Sequence, residues 1–131
     1  MKIRLTCFLM IVGTIFTLVR PAMAHHSSAA FDVEHAMTVQ GIVTRFDWSN
    51  PHAFIFLDVK DKKGEVENWR VEANSPNMLT RAGWRREMIK PGDTLSVTGA
   101  PAKNGAKVMR LDNIVLANGQ KFDGQGFAYG H

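Results

Sequence analysis

The sequence predicts a mostly β domain, a small OB-like barrel of five to six strands with one short helix between strands three and four. Three observations favour this fold. Segments rich in β-branched and aromatic residues alternate with turn signals, a single helix signal separates the third segment from the fourth, and the long first segment contains a glycine. A two-sheet sandwich is the alternative, but a domain of about 100 residues with one inserted helix favours the barrel.

The first three strands are predicted at residues 38–48, 53–59 and 66–73. Gly41 gives the first strand a position at which it can bend or bulge, since glycine has no side chain to pack. In the third strand, apolar and polar residues alternate, and Trp69 falls on the apolar side. We therefore expect Trp69 in the core.

A helix of about two turns is predicted directly after the third strand. Ser75 suits the N-cap, Pro76 the first helical position, and Gly83 the left-handed residue past the end of the helix. The remaining strands are predicted at residues 94–100, 107–117 and, as a short return strand, 120–122.

The first 24 residues are organised like a secretory signal peptide. Lys2 and Arg4 precede the uncharged residues 5–19, and Ala22 and Ala24 place small side chains at the two positions that a signal peptidase checks. A retained membrane anchor is the alternative, although a membrane-spanning helix needs about 20 apolar residues. The predicted organisation is a cleaved signal at 1–24, an N-terminal tail at 25–37, the barrel at 38–122 and a C-terminal tail at 123–131.

Cleavage of the signal changes the charge and the cysteine content. The full chain has a formal charge of +4, but the processed chain has 13 basic and 12 acidic residues, a formal charge of +1. Such a near-neutral domain has no electrostatic footprint for nucleic acid. The single cysteine, Cys7, leaves with the signal, so the processed chain has neither a disulfide nor a thiolate metal site. We expect no nucleic-acid partner and, after cleavage, no membrane association.

The chain resembles a family of small exported bacterial proteins known only as a domain of unknown function. Two motifs are the most specific, Trp-x-Asn-Pro-His at 48–52 and Ser-Pro-x-x-Leu-x-x-x-Gly-Trp at 75–84. The resemblance implies export to the periplasm of Gram-negative bacteria and a small barrel-like β domain, and it implies no particular activity. It is carried by the segments HHSSAAFD (25–32), FDWSNPHAFIFLDV (46–59), WRVEANSPNMLTRAGW (69–84), KPGDTLSVTGAPAKNG (90–105) and RLDNIVLANGQ (110–120).

The histidines predict a metal site, with copper as the first candidate. Cleavage before His25 would let its free amine and its imidazole chelate one metal together. A further histidine would complete a three-nitrogen set that suits Cu(II), and His26, His35 and His52 are available. We favour a set of His25, His26 and His52, because Pro51 holds His52 in a rigid turn between strands one and two. The alternative is that the His-His-Ser-Ser start is a soluble spacer.

The outer face of strands two and three predicts a second kind of site. Phenylalanines alternate with Ile55 and Leu57, so both faces of the second strand are apolar and one of them needs cover. Arg70 and Glu72 share one face of the third strand, and such a surface suits a small amphipathic ligand or a protein partner. The predicted ligand-binding residues are Trp48, Phe54, Phe56, Arg70 and Glu72.

Two further alternatives concern this face and the class of function. The chain's own ends, Ala-Ala-Phe at 29–31 or Gly-Phe-Ala-Tyr at 126–129, could cover the phenylalanines instead of a ligand. The sequence has no nucleophile elbow, no phosphate-cradling loop and no His-Glu-x-x-His pair, so we expect a binding module and not an enzyme. His52 with Glu72 as acid and base, or a copper-dependent redox enzyme, are the enzymatic alternatives.

Overall fold

The first five strands bury side chains in alternation, as the sequence pattern predicts. The computed structural model describes residues 29–124. Its elements are β1 (Met37–Asp47), β2 (Phe54–Lys60), β3 (Val66–Glu72), helix α1 (Pro76–Arg81), a 3₁₀ turn (Arg86–Met88), β4 (Thr94–Pro101), β5 (Val108–Val115) and β6 (Lys121–Asp123).

The strands form a closed barrel. They are ordered β3-β2-β1-β4-β5-β6 through antiparallel pairs, and β3 also pairs with β5 in parallel. This last pairing closes a ring of five strands, to which β6 adds a short sixth strand at β5. The structure therefore confirms the predicted mostly β barrel with one short helix between the third and fourth strands, and the two-sheet sandwich was the wrong alternative.

Helix α1 contributes to the barrel core. The Ser75 hydroxyl accepts a hydrogen bond from the Met78 amide at 3.4 Å, and Pro76 begins the helix, as predicted. Leu79 is fully buried and belongs to the core cluster together with Trp84. The indole of Trp84 donates to the carbonyl oxygen of Asp123 at 2.9 Å, which ties the segment after the helix to strand β6.

The irregularity of β1 lies three residues after the expected glycine. The register between β1 and β2 shifts between Val43 and Arg45, so Thr44 is the extra residue of a bulge. Gly41 has a different role, because a Cβ atom there would lie 2.8 Å from the carbonyl oxygen of Asp58. Gly41 thus permits the close approach of β2, and the bulge changes the direction of the side chains that follow it.

Residues 30–32 continue the sheet beside the β4–β5 connection. The amide of Asp32 donates to the carbonyl oxygen of Pro101 at 2.8 Å, and the amide of Lys103 donates to the carbonyl oxygen of Ala30 at 2.9 Å. Phe31 is buried between these two bonds. No helix among residues 29–124 is both long enough and apolar enough to cross a membrane.

Candidate functional site

Two phenyl rings lie on the outside of the barrel because β2 alternates strictly. Ile55 and Leu57 are fully buried inside, so Phe54 and Phe56 point outward and are half-buried. On β3, Arg70 lies opposite Phe56 and Glu72 opposite Phe54. We call the outward surface that these two rings form with the paired outward residues of β1 and β3 the phenyl face. It consists of Arg45, Asp47, Phe54, Phe56, Arg70 and Glu72.

The bulge in β1 places Arg45 on this face. Before the bulge, Val39 and Val43 point inward, and an unbroken strand would point residue 45 inward as well. The extra residue Thr44 reverses the alternation, so Arg45 pairs with Phe56 on the outside. The Thr44 hydroxyl donates to the carbonyl oxygen of Phe56 at 3.3 Å.

Each ring of the phenyl face has a guanidinium group beside it. The Cζ atom of Arg45 lies 3.9 Å from the centroid of Phe56, and that of Arg70 lies 5.4 Å from the centroid of Phe54. Arg45 is also paired with Asp47, with 3.0 Å between Nε and Oδ1. For Arg70, no ion pair is found among residues 29–124. The two arginines therefore differ, since only Arg70 has an uncompensated charge.

A groove of about 680 Å³ runs from the phenyl face to the β4–β5 connection. Lys107 and Glu67 form an ion pair of 2.7 Å beside it, and Asn68 donates to Asp58 at 2.7 Å. The groove volume lies within the range of roughly 300–1,000 Å³ that is usual for small-molecule sites. The groove is lined by Thr44, Phe56, Leu57, Asp58, Asn68, Trp69, Arg70, Lys107 and Val108.

A second groove, of about 860 Å³, includes the exposed side chains of Ile42 and Val66. Its aromatic residue, Trp69, is buried and donates its indole N–H to Glu67 at 3.1 Å. The carboxylate of Asp61 accepts hydrogen bonds from backbone amides of its own turn. The smaller groove is therefore the better candidate site, because it combines an outward ring with an unpaired cation.

The structure brings together four of the five predicted ligand-binding residues. Phe54, Phe56, Arg70 and Glu72 share the phenyl face. Trp48 is instead packed partly buried against the core, edge-on to Phe46 at 5.5 Å between ring centroids. Trp69 is buried, as predicted. Sequence reasoning missed Arg45, Asp47 and Lys107 as neighbours of the site.

His52 lies at the edge of the phenyl face. Its Nδ1 donates to the carbonyl oxygen of Ala73 at 3.2 Å and lies 3.6 Å from Glu72 Oε1. A carbonyl oxygen can only accept, so Nδ1 carries a proton, and in the neutral imidazole the lone pair is on Nε2. The His52 side chain is 43% exposed.

Two predicted metal ligands, His25 and His26, lie outside the described residues, so the copper set remains a prediction. Within residues 29–124, no three histidine, cysteine, aspartate or glutamate side chains are grouped as a metal site. His35 is exposed and pairs with Asp32 at 3.0 Å.

The hydrogen bonds at Glu67 determine its ionisation. Donation from Lys107, and then from the Trp69 indole, lowers the pKa of Glu67 below its ordinary value of 4.5. The carboxylate is therefore ionised throughout the neutral range, and it holds the Lys107 side chain beside the groove.

Comparison with known families gives a match over most of the chain. The profile of a family of unknown function, DUF6152, matches residues 14–110. The chain belongs to DUF6152. The suspected membership of a family of unknown function is thereby confirmed, and no curated protein matches the chain significantly.

Two solved structures are similar to this DUF6152 protein. A mutant of TiaS without its ZRD, in complex with agmatine, matches with a TM-score of 0.52 and 20% identity over 76% of this chain and 29% of that chain. A complex of TiaS with a transfer RNA and ATP matches with a TM-score of 0.48 and 20% identity over 65% of this chain and 18% of that chain. The DUF6152 chain spans less than a third of either protein. At 20% identity, the likeness to the TiaS mutant concerns the fold alone.

The Glu67–Lys107 pair predicts a pH-dependent stability. In Glu67→Gln, the amide oxygen still accepts from Trp69, but the charge pair with Lys107 is lost. Because the folded pKa of Glu67 lies below 4.5, the ionised form stabilises the wild type above that pH, and this contribution is lost as the pH falls through the folded pKa.

We expect wild type to have a higher Tm than Glu67→Gln at pH 7 and the difference to shrink in acid, as measured by thermal unfolding at several pH values. Glu65→Gln, at an exposed position two residues away, is the control and should show no such trend. A difference for Glu67→Gln that persists unchanged in acid would contradict the assignment.

Proposed function

We propose that this protein is an exported, periplasmic binding module that holds a small amphipathic ligand on its phenyl face. One observation carries the proposal: Phe54 and Phe56 lie on the outside of a closed barrel, each beside a guanidinium group, and Phe56 lines a groove of small-molecule size together with Arg70. The two outward rings are only half-buried, so they leave apolar surface that binding would bury favourably.

The position of the N-terminal segment supports a ligand as the cover of this face. Of the two chain ends that could lie over the rings, the first is paired elsewhere, because Ala30 and Phe31 line the β4–β5 connection beside Ala102. The second, at residues 126–129, lies outside the described residues. The signal-like residues 1–24 and the family resemblance support the proposed location in the periplasm.

Binding without catalysis is part of this proposal. His52 and Glu72 approach to 3.6 Å at the edge of the phenyl face, and they are the acid–base pair that an enzymatic alternative would use. The rings and guanidinium groups beside them hold and orient a ligand, and they supply no nucleophile. The described geometry therefore favours retention of a ligand over its conversion.

Copper binding is a second candidate function, and the orientation of His52 favours it. Metal-binding histidines usually donate one ring N–H to a carbonyl or carboxylate, which directs the other nitrogen at the metal. The bond from His52 Nδ1 to Ala73 has this form, and in the neutral imidazole it leaves Nε2 as the nitrogen that can bind a metal. The terminal amine and imidazole of His25, together with His26, would supply the other nitrogen ligands.

The phenyl-face proposal predicts the behaviour of an amphipathic fluorescent probe, 8-anilinonaphthalene-1-sulfonate. We expect the folded wild type to bind it, and Phe56→Ala to weaken binding roughly five- to tenfold, since part of a ring contact worth about 1–2 kcal/mol is lost. Phe56 points outward, so circular dichroism and the Tm should show a folded variant.

The matched control for this experiment is Val66→Ala, which shortens an exposed apolar side chain in the larger groove. Its affinity should equal that of wild type in the fluorescence titration. Weakening by Val66→Ala but not by Phe56→Ala would place the probe in the other groove and reject the phenyl face as the binding surface.

The copper candidate predicts a strong dependence on the first residue. Protein that starts at His25 should bind Cu(II) more tightly than protein with one additional glycine before His25, because the extension removes the amine from the chelate ring. His52→Ala should also weaken binding, as measured by competition with a chelator of known affinity. Equal affinities in all three proteins would reject a terminal copper site that includes His52.

A further inference from the structure

The charges around the phenyl face are unevenly compensated. Arg45 is paired with Asp47, and Lys107 with Glu67. Arg70, which lines the groove, has no ion pair among residues 29–124 and is exposed. The groove therefore offers a ligand one guanidinium group whose charge no carboxylate of the described residues neutralises.

A second unpaired guanidinium group lies diagonally across the parallel ladder from Arg70. Arg110 is opposite Glu72 in the register of β3 and β5, while Arg70 is opposite Val108. The Nε atom of Arg110 is buried and has no hydrogen-bond partner among the described residues. Arg70 and Arg110 are thus two outward guanidinium groups at this edge of the phenyl face that form no ion pair among the described residues.

From this distribution we propose that the ligand of the phenyl face is an aromatic carboxylate, whose carboxylate binds Arg70 and whose ring lies against Phe56. The inference rests on the proposed function and adds the chemical class of the ligand. A guanidinium group presents two parallel N–H donors that match the two oxygens of a carboxylate. Phe56 lines the same groove as Arg70 and is opposite it in the β2–β3 register, so one small molecule can reach both.

The acidic residues of the face select against anions of higher charge. Asp58 lines the groove. Asp47 and Glu72 lie on either side of Phe54, the outward residue of β2 next to Phe56. A phosphate or a nucleic-acid strand would bring its additional charge close to these carboxylates, and such like-charge contacts lower affinity. A single carboxylate with an uncharged ring meets one unpaired cation and an apolar surface.

A matched pair of probes tests the inference in the exported, processed protein. The first probe is 3-phenylpropionate, and the second is 3-phenylpropionamide, which has nearly the same shape without the charge. Binding is followed by shifts of backbone amide signals in NMR titrations, which give both a Kd and the location of the probe. We expect shifts at Phe56, Arg70 and Val108, and at least about fivefold tighter binding of the acid, since hydrogen bonds to a charged group are the stronger kind.

The variant Arg70→Gln should remove the preference for the acid, because the acid loses a charge-assisted hydrogen bond and its affinity falls more than that of the amide. Arg70 is exposed and its backbone amide, which bonds to Lys107, is retained, so the variant should fold. Arg81→Gln, at an exposed position at the end of α1, is the matched control and should keep the preference. Inorganic phosphate is the third probe and should compete more weakly than 3-phenylpropionate.

Each of the other outcomes would reject a specific part of the inference. Equal affinity of acid and amide on the phenyl face would reject the carboxylate and leave the proposed function intact. A preference that survives Arg70→Gln but disappears in Arg110→Gln would reject Arg70 as the binding group. Competition by phosphate as strong as that by the acid would show a general anion site, and the absence of shifts on the face with any probe would reject the proposed function as well.

Discussion

The parallel pairing of β3 with β5 is the constraint on which the rest of the structure depends. It joins strands that the helix, the 3₁₀ turn and β4 separate along the chain, and it converts an open sheet into a ring. Val71 and Met109, which are opposite each other in this ladder, are both fully buried. The same three residue pairs place Arg70 beside Val108 and Glu72 beside Arg110 on the outside. Core and candidate site are therefore formed by one set of backbone hydrogen bonds.

Closure of the barrel also explains why the outward side chains of β2 and its neighbours determine the chemistry of this surface. A closed barrel satisfies its backbone groups within the ring, so the chemistry of its surface depends on the outward side chains. Along β2 these are Phe54, Phe56, Asp58 and Lys60, and the guanidinium groups beside the rings come from the neighbouring strands on either side. The rings make the surface apolar, the arginines make it cationic at two points, and one of those charges is already neutralised by Asp47. The surface can thus distinguish ligands by charge and by shape.

Much of this architecture could be predicted from local sequence. Alternation in β2 and β3 gave the correct partition between core and surface, and Ser75 with Pro76 marked the start of the helix. These features depend on neighbours within a few residues. The four predicted residues that meet on the phenyl face were found because a strand's inward and outward positions follow from its period of two.

The features that were missed depend on contacts between distant segments. The bulge at Thr44 is stabilised against β2 and reverses the direction of Arg45, which counting along β1 places inside. Trp48 was expected on the ligand face, but the hydrophobic surface beside Phe46 holds it against the core. The pairing of Phe31 with Ala102 joins positions 71 residues apart. No local pattern encodes these three arrangements.

Amide hydrogen exchange at Arg70 tests the barrel closure most directly. Its backbone N–H donates to the carbonyl oxygen of Lys107 at 3.0 Å, within the ladder that closes the ring. We expect this amide to exchange as slowly as those of the buried β1–β4 ladder, with rates that follow global unfolding. Exchange at the rate of an exposed loop would show that β3 and β5 are not paired in solution. Lys107 and Val108 would then no longer line the groove beside Arg70.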